Sequence, residues 1–164
     1  MTIIVINKET LICDEFRFRC STGKNGITKN KIEGDKKTPK GIFKIGNLYY
    51  RKDKYQKLDT KIKCFPIKND MGWCDDPKNK KNYNKLVKIK KNINHEKLFR
   101  KDNIYNLLIP VSYNTKKPIP GKGSAIFIHL TNNYESTLGC ISLKEKDFFI
   151  LLKLINKKTK IKIL

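Results

Sequence analysis

The sequence predicts a mainly β fold in one domain spanning residues 1–164, with one or two short helices. Three observations carry that expectation. Apolar and polar residues alternate with period two at Phe16–Cys20 and again at Lys160–Leu164, the pattern of half-buried strands. Short apolar runs rich in β-branched residues recur between turn-forming residues. Helical spacing, by contrast, is clear only near the C-terminus. A chain of 164 residues is long enough for one ordinary domain with a core, and no internal repeat or linker divides it.

Taken in order, Ile3 to Ile6 opens the chain as a strand, and Asn7-Lys8-Glu9-Thr10 supplies a hairpin turn. Phe16–Cys20 follows as the first alternating strand. Ser21 to Gly41 is rich in Gly, Lys, Asn and Thr and reads as one long functional loop. Strands return at Ile42–Ile45 and Leu48–Tyr50. Cys64 to Tyr83 reads as irregular, centred on Gly72-Trp73-Cys74-Asp75-Asp76-Pro77. A short polar helix capped by Asn94 is expected from Asn94 to Lys101, with His95 on its surface. Tyr105–Tyr113 and Ala125–Leu130 read as buried strands around the turn Pro118-Ile119-Pro120-Gly121. Ser142 and Glu145 have the spacing of a capping box. Phe148, Leu151, Leu152 and Ile155 then form one apolar face of a helix from about Leu143 to Asn156.

Composition narrows the function classes. Lys and Arg total 37 against 15 Asp and Glu, giving a net charge of +22, yet 38% of residues are hydrophobic, too many for a disordered chain. No apolar run approaches the roughly 18 residues of a membrane-spanning helix. The charge invites a nucleic-acid reading. Only four of the basic residues are Arg, however, and the lysines run from Lys8 to Lys162 without interleaved stacking aromatics. Together with 22 Ile, 16 Asn and a single Ala, they look like a compositional bias of exposed positions. Specific nucleic-acid binding is therefore kept as the distant alternative. Five cysteines with no CxxC spacing do not support a zinc site, so no metal is expected. Cys13, Cys20, Cys64 and Cys74 read as buried or incidental thiols, with disulfide pairing left open. No secretory signal is visible before or after Ile3–Ile6.

Chemistry concentrates in Ile126-Phe127-Ile128-His129 and Thr137-Leu138-Gly139-Cys140. An apolar strand delivers His129 at its end, and Gly139-Cys140 sits in a tight turn. A free thiol of pKa roughly 8.5 is mostly protonated at neutral pH, so attack on a carbonyl needs a base. An imidazole can take that proton and return it. Backbone N–H groups around Cys140 would stabilise a tetrahedral oxyanion, and Gly139 lets substrate approach closely.

His129-x7-Thr137-x-Gly139-Cys140-Ile141 resembles the signature of the L,D-transpeptidase catalytic domain (YkuD-like) family, and most of all its small stand-alone bacterial members. Gly123–His129, Thr137–Leu143, Glu33–Phe43, Trp73–Pro77 and Tyr83-Asn84 all match that subgroup, so the resemblance spans nearly the whole chain. It implies a β-sandwich or barrel-like catalytic fold with a helix after the catalytic Cys. It also implies a cysteine-dependent acyl transferase acting on peptidoglycan stem peptides, with no cofactor. Cys140 would be the nucleophile and His129 the general base and then acid. An amine acceptor gives a crosslink; water gives an L,D-carboxypeptidase or amidase. The resemblance implies the cell envelope or periplasm, with the cytoplasm as alternative since no signal is visible. Many relatives carry Arg two positions after the catalytic Cys, where this chain has Ser142. Arg51 and Arg100 are candidate replacements for holding a substrate carboxylate, or else surface arginines. Thr137 and Ser142 would touch substrate. Asp35, Trp73, Asp75 and Asn84 either line the cleft or brace the long loops.

Overall fold

Fifteen short strands and one helix are built from this sequence in a computed structural model that describes all 164 residues. In chain order the strands are β1 Thr2–Val5, β2 Thr10–Cys13, β3 Phe16–Arg19, β4 Ile27–Thr28, β5 Thr38–Pro39, β6 Gly41–Lys44, β7 Leu48–Tyr50 and β8 Cys64–Pro66. They continue with β9 Met71–Cys74, β10 Leu86–Lys88, β11 His95–Lys97, β12 Leu107–Pro110, β13 Phe127–Leu130 and β14 Ile141–Leu143. The helix α1, Glu145–Leu154, and β15, Lys160–Ile163, complete the chain.

Two five-stranded sheets hold the core between them. One runs β3-β2-β1-β15-β6, the other β14-β13-β12-β7-β8. Their inward residues form one apolar cluster: Ile3, Val5, Ile161 and Ile163 from the first sheet, Leu107, Ile109, Ile128, Leu130, Ile141 and Leu143 from the second. Helix α1 closes this cluster with Phe148, Leu151, Leu152 and Ile155, the face its spacing predicts. A mainly β sandwich with one C-terminal helix is thus the observed fold class. The first and last strands pair in parallel, Ile3 opposite Ile161, so the chain ends lock each other into the sheet.

The second sheet has a second, outward cluster. Leu108, Phe127, Ala125 and Cys140 pack there with Tyr105, Leu98 and Trp73, beneath the three-stranded sheet β10-β9-β11. Period-two alternation explains the split: Ile128 and Leu130 point to the sandwich core, Phe127 and His129 to the other face.

Four sequence expectations need correction. Asn94–Lys101 is not a helix; His95–Lys97 is β11, antiparallel to β9. A polar segment with weak helical patterning yields to the unpaired edge of β9, while Leu98 is buried. The predicted capping box is absent. Lys144 occupies the N-cap without a side-chain cap bond, because Ser142 is drawn into β14 and its hydroxyl meets that of Ser21 at 2.5 Å. The helix accordingly starts at Glu145 and ends at Leu154. Cys64–Tyr83 contains β8 and β9 and is not irregular. The long Ser21–Gly41 loop is pinned by the two-residue parallel pair β4–β5.

Candidate active site

Strand β13 carries His129 on the outward face of the second sheet, where only 7% of the residue is exposed. Its Nδ1 stands 2.8 Å from the carbonyl oxygen of Leu130. A carbonyl only accepts, so Nδ1 bears the proton and Nε2 keeps its lone pair. The edge of the Tyr105 ring packs against the imidazole at 5.3 Å. Burial drives the His129 pKa down to about 4, so the ring is neutral at pH 7.

Strand β14 lies parallel to β13 with Ser142 opposite His129. Cys140 immediately precedes β14 and therefore lands on the same outward face. Its Sγ accepts a hydrogen bond from Phe127 N–H at 3.3 Å and donates to the Ala125 carbonyl at 3.2 Å. Burial pushes the thiol well above its ordinary value and the charge of Glu96 adds to this, while Lys31 opposes it. The resting pair is thus a neutral thiol and a neutral imidazole, not a preformed ion pair.

The turn before Cys140 is built by Thr137 and Gly139. The Thr137 hydroxyl donates to the Cys140 carbonyl at 2.7 Å and accepts from Gly139 N–H at 3.0 Å. Gly139 has φ +140°, and a Cβ there would stand 2.9 Å from the Lys37 carbonyl oxygen. Since the Gly139 N–H is committed to Thr137, Gly139 shapes the turn. The Cys140 N–H bonds to no other group and is free to donate to a developing oxyanion.

His129 and Cys140 both line one cavity of about 620 Å³. Thr137, Ser142, Arg100 and Asp75 line it too. Ser142 is nearly inaccessible and spends its hydroxyl on Ser21. Arg100 turns its guanidinium to Asp102, with Glu96 at 3.9 Å, and stacks over the Tyr105 ring at 5.1 Å.

The other expected residues lie outside the cavity wall. Asp35 accepts from Lys31 Nζ at 2.5 Å and from the backbone of Ile32 and Lys37, bracing the loop. Trp73 packs edge-on against Phe127 and donates its Nε1–H to Asn84 Oδ1 at 2.9 Å. Asn84, at φ +56°, also accepts from Ala125 N–H and donates to the carbonyls of Tyr113 and Asn114. Arg51 is buried, paired with Asp53 and stacked over Phe99 at 3.7 Å. These four hold the walls in place.

The sequence reading missed Lys31, Glu33, Glu96 and Tyr105 as lining residues. Tyr105 donates its hydroxyl to Glu96, whose carboxyl burial pushes upward in pKa. Glu33 accepts from both Tyr83 and Ser124, the latter at 2.7 Å. Glu33 stands inside the Glu-Gly-Asp segment, which was a usable signal; Glu96 and Tyr105 had none. No three His, Cys, Asp or Glu side chains stand together as a metal site.

The family model described as L,D-transpeptidase catalytic domain (YkuD) matches residues 2–163. Among solved structures, the helical cell shape determining protein Pgp2 from Campylobacter jejuni is similar over 99% of this chain, with 17% identity and a TM-score of 0.55. Bd1075 of Bdellovibrio bacteriovorus is similar over 99%, with 14% identity and a TM-score of 0.51. This chain spans 46% and 47% of those two chains, so it matches about half of each. At such identities the likeness is one of fold. No curated protein sequence matches the chain.

Proposed function

Because the chain belongs to the L,D-transpeptidase catalytic domain family, we propose that it is a cysteine acyltransferase acting on peptidoglycan stem peptides, with Cys140 as nucleophile. One observation carries the reading: adjacent parallel strands bring His129 and Cys140 to one cavity, with the imidazole held in the tautomer that leaves Nε2 free as a base.

The reaction follows from these groups. Cys140 Sγ attacks the carbonyl carbon of the L,D peptide bond as its proton passes to His129 Nε2. The oxyanion receives a hydrogen bond from the Cys140 N–H. The intermediate collapses, the C–N bond breaks, and the departing amine takes the proton from the imidazolium. A thioester remains on Cys140. An amine from a second stem then attacks it, its proton passes to His129, and the C–S bond breaks. The proton returns to the thiolate. Neutrality of the resting pair supports proton transfer concerted with attack.

The test uses purified protein and disaccharide-tetrapeptide muropeptides, with products read by mass spectrometry. Crosslinked or exchanged products that vanish in Cys140→Ala are expected. Identical profiles for the two proteins would overturn the reading. Free tripeptide alone would assign water as acceptor, making the protein an L,D-carboxypeptidase on the same acyl-enzyme. An envelope location belongs with this proposal; no helix is long and apolar enough to cross a membrane.

A further inference from the structure

The first sheet, β3-β2-β1-β15-β6, spends only one of its faces on the core. Alternation sends Ile3, Val5, Leu11, Phe18, Ile161 and Ile163 inward and the residues between them to the other side. The strand registers set those outward residues in rows. Arg17 on β3 stands opposite Ile12, Ile12 opposite Ile4, Ile4 opposite Lys162, and Lys162 opposite Ile42 on β6. This row crosses all five strands, about 19 Å at the usual strand spacing. Beside it on one side run Thr2, Lys160 and Lys44. On the other side Thr10 faces Arg19, and Ile6 continues the alternation past β1.

No part of the chain is laid over this face. Ile42 is 61% exposed and Ile6 41%, Ile4 and Ile12 are partly exposed, and Arg17, Lys44 and Lys160 are open to solvent. The one helix lies against the core on the inner side. A sheet face that meets water ordinarily turns to polar residues, and here isoleucines stand among cations. Arg17, Lys44, Lys160 and Lys162 take part in none of the molecule's salt bridges, and Arg19 turns aside over the Tyr134 ring at 4.6 Å. The five strands contain no Asp or Glu; Glu9, Asp14 and Glu15 are confined to the turns at the ends of β2.

This combination selects among occupants. A second copy of the face would set unpaired cations against their own kind. An anionic polymer would pair with the cations and leave the isoleucines wet. A bilayer surface that carries anionic lipid satisfies both groups: the isoleucines lose water in the headgroup boundary, and the lysine and arginine heads reach the phosphates. We propose that the outer face of the first sheet docks the protein on an anionic lipid bilayer. The cavity that holds Cys140 lies on the outer side of the second sheet, so docking turns it away from the bilayer. The proposal stands independently of the acyl-transfer reading.

Co-sedimentation with vesicles of equimolar phosphatidylglycerol and phosphatidylcholine tests it, with pure phosphatidylcholine vesicles as the uncharged reference. Wild type is expected to bind the first and not the second. Because a basic surface attracts any anionic vesicle, two charge-matched variants separate this face from the rest. Arg17→Gln/Lys162→Gln should weaken binding about twenty-fivefold, at about fivefold for each cation beside an anionic leaflet. Lys80→Gln/Lys81→Gln removes the same charge from the β9–β10 loop, on the far side of the sandwich, and should change binding little. Ile6→Ser/Ile42→Ser keeps the charge and should weaken binding about tenfold through lost apolar burial.

All six positions but Lys162 are exposed, and circular dichroism checks that each variant folds. Equal losses in the two charge variants would overturn the proposal, as would failure of wild type to bind the anionic vesicles. Binding that the isoleucine variant leaves unchanged would mean a purely electrostatic attraction and overturn it too. A dimer in sedimentation velocity that Ile6→Ser/Ile42→Ser dissolves would give the face to a second copy instead. Muropeptide turnover is measured on the soluble protein without vesicles, so failure of the acyl-transfer reading is seen separately.

Discussion

His129 is the base in the proposed reaction, and its burial has two consequences. A neutral imidazole is available as base at every pH above about 4. The rate of acyl-enzyme formation is therefore expected to rise through pH 4 and stay flat to pH 8, with no acid limb near 6.5. A pH series of single-turnover rates checks this; a limb near 6.5 would mean an exposed, ordinary histidine. The same burial costs stability in acid. The unfolded chain protonates His129 near its ordinary 6.5, the folded one only near 4. Between those values the unfolded state binds more protons, so stability falls as pH drops from 6.5 to 4, by about 3 kcal/mol from this residue. Urea midpoints at pH 7 and pH 4 should differ less in His129→Gln. Gly139 is the second residue with a clear penalty. Gly139→Ala forces a Cβ into the left-handed region and against Lys37, costing about 1–3 kcal/mol. A larger loss in turnover than in stability is expected, because the displaced turn carries Cys140.

At the scale of elements, β13 divides the molecule. Its inward residues belong to the sandwich core and its outward residue His129 lines the cavity, so core and cavity share one strand. Phe148 on α1 is fully buried against the core. Phe148→Ala should destabilise by about 3–5 kcal/mol with little change in turnover of the folded fraction. Asn84 gives the converse case. It ties β9 to the segment leading into β13 through bonds to Trp73, Ala125, Tyr113 and Asn114. Asn84→Ala leaves these groups unpaired, at a cost of about 2–4 kcal/mol, and should lower both stability and activity. Chemical denaturation beside muropeptide turnover separates the two variants. The sequence made α1 and β15 legible because their apolar spacing is local. It misread Asn94–Lys101 because β11 exists only through the free edge of β9, a partner some twenty residues away.

Over the whole molecule the charge is unevenly used. The whole chain carries a net charge of +22, yet five acids against three Lys or Arg side chains line the cavity. A diffuse lysine surface attracts anionic polymers over a range that salt shortens. Retention on anionic cell-wall polymer is expected to fall steeply between low and high salt, whereas turnover of a small soluble muropeptide should change far less. Co-sedimentation and kinetics at matched salt check the contrast.

By itself the sequence determined the strand-rich class and the C-terminal helix, and it singled out His129 and the Thr137–Cys140 turn, which the structure brings to one cavity. These rest on local patterning and on a spaced string of chemically specific residues. It left Arg51, Arg100, Asp35, Trp73, Asp75 and Asn84 divided between cleft and scaffold. Only the tertiary structure sorted them, placing Arg100 and Asp75 at the cavity and the other four in its supports. It also brought Lys31, Glu33, Glu96 and Tyr105 to the wall around Cys140. The physical reason is that charge pairing and burial depend on which distant segments the sheets bring together. Spacing along the chain carries no record of that.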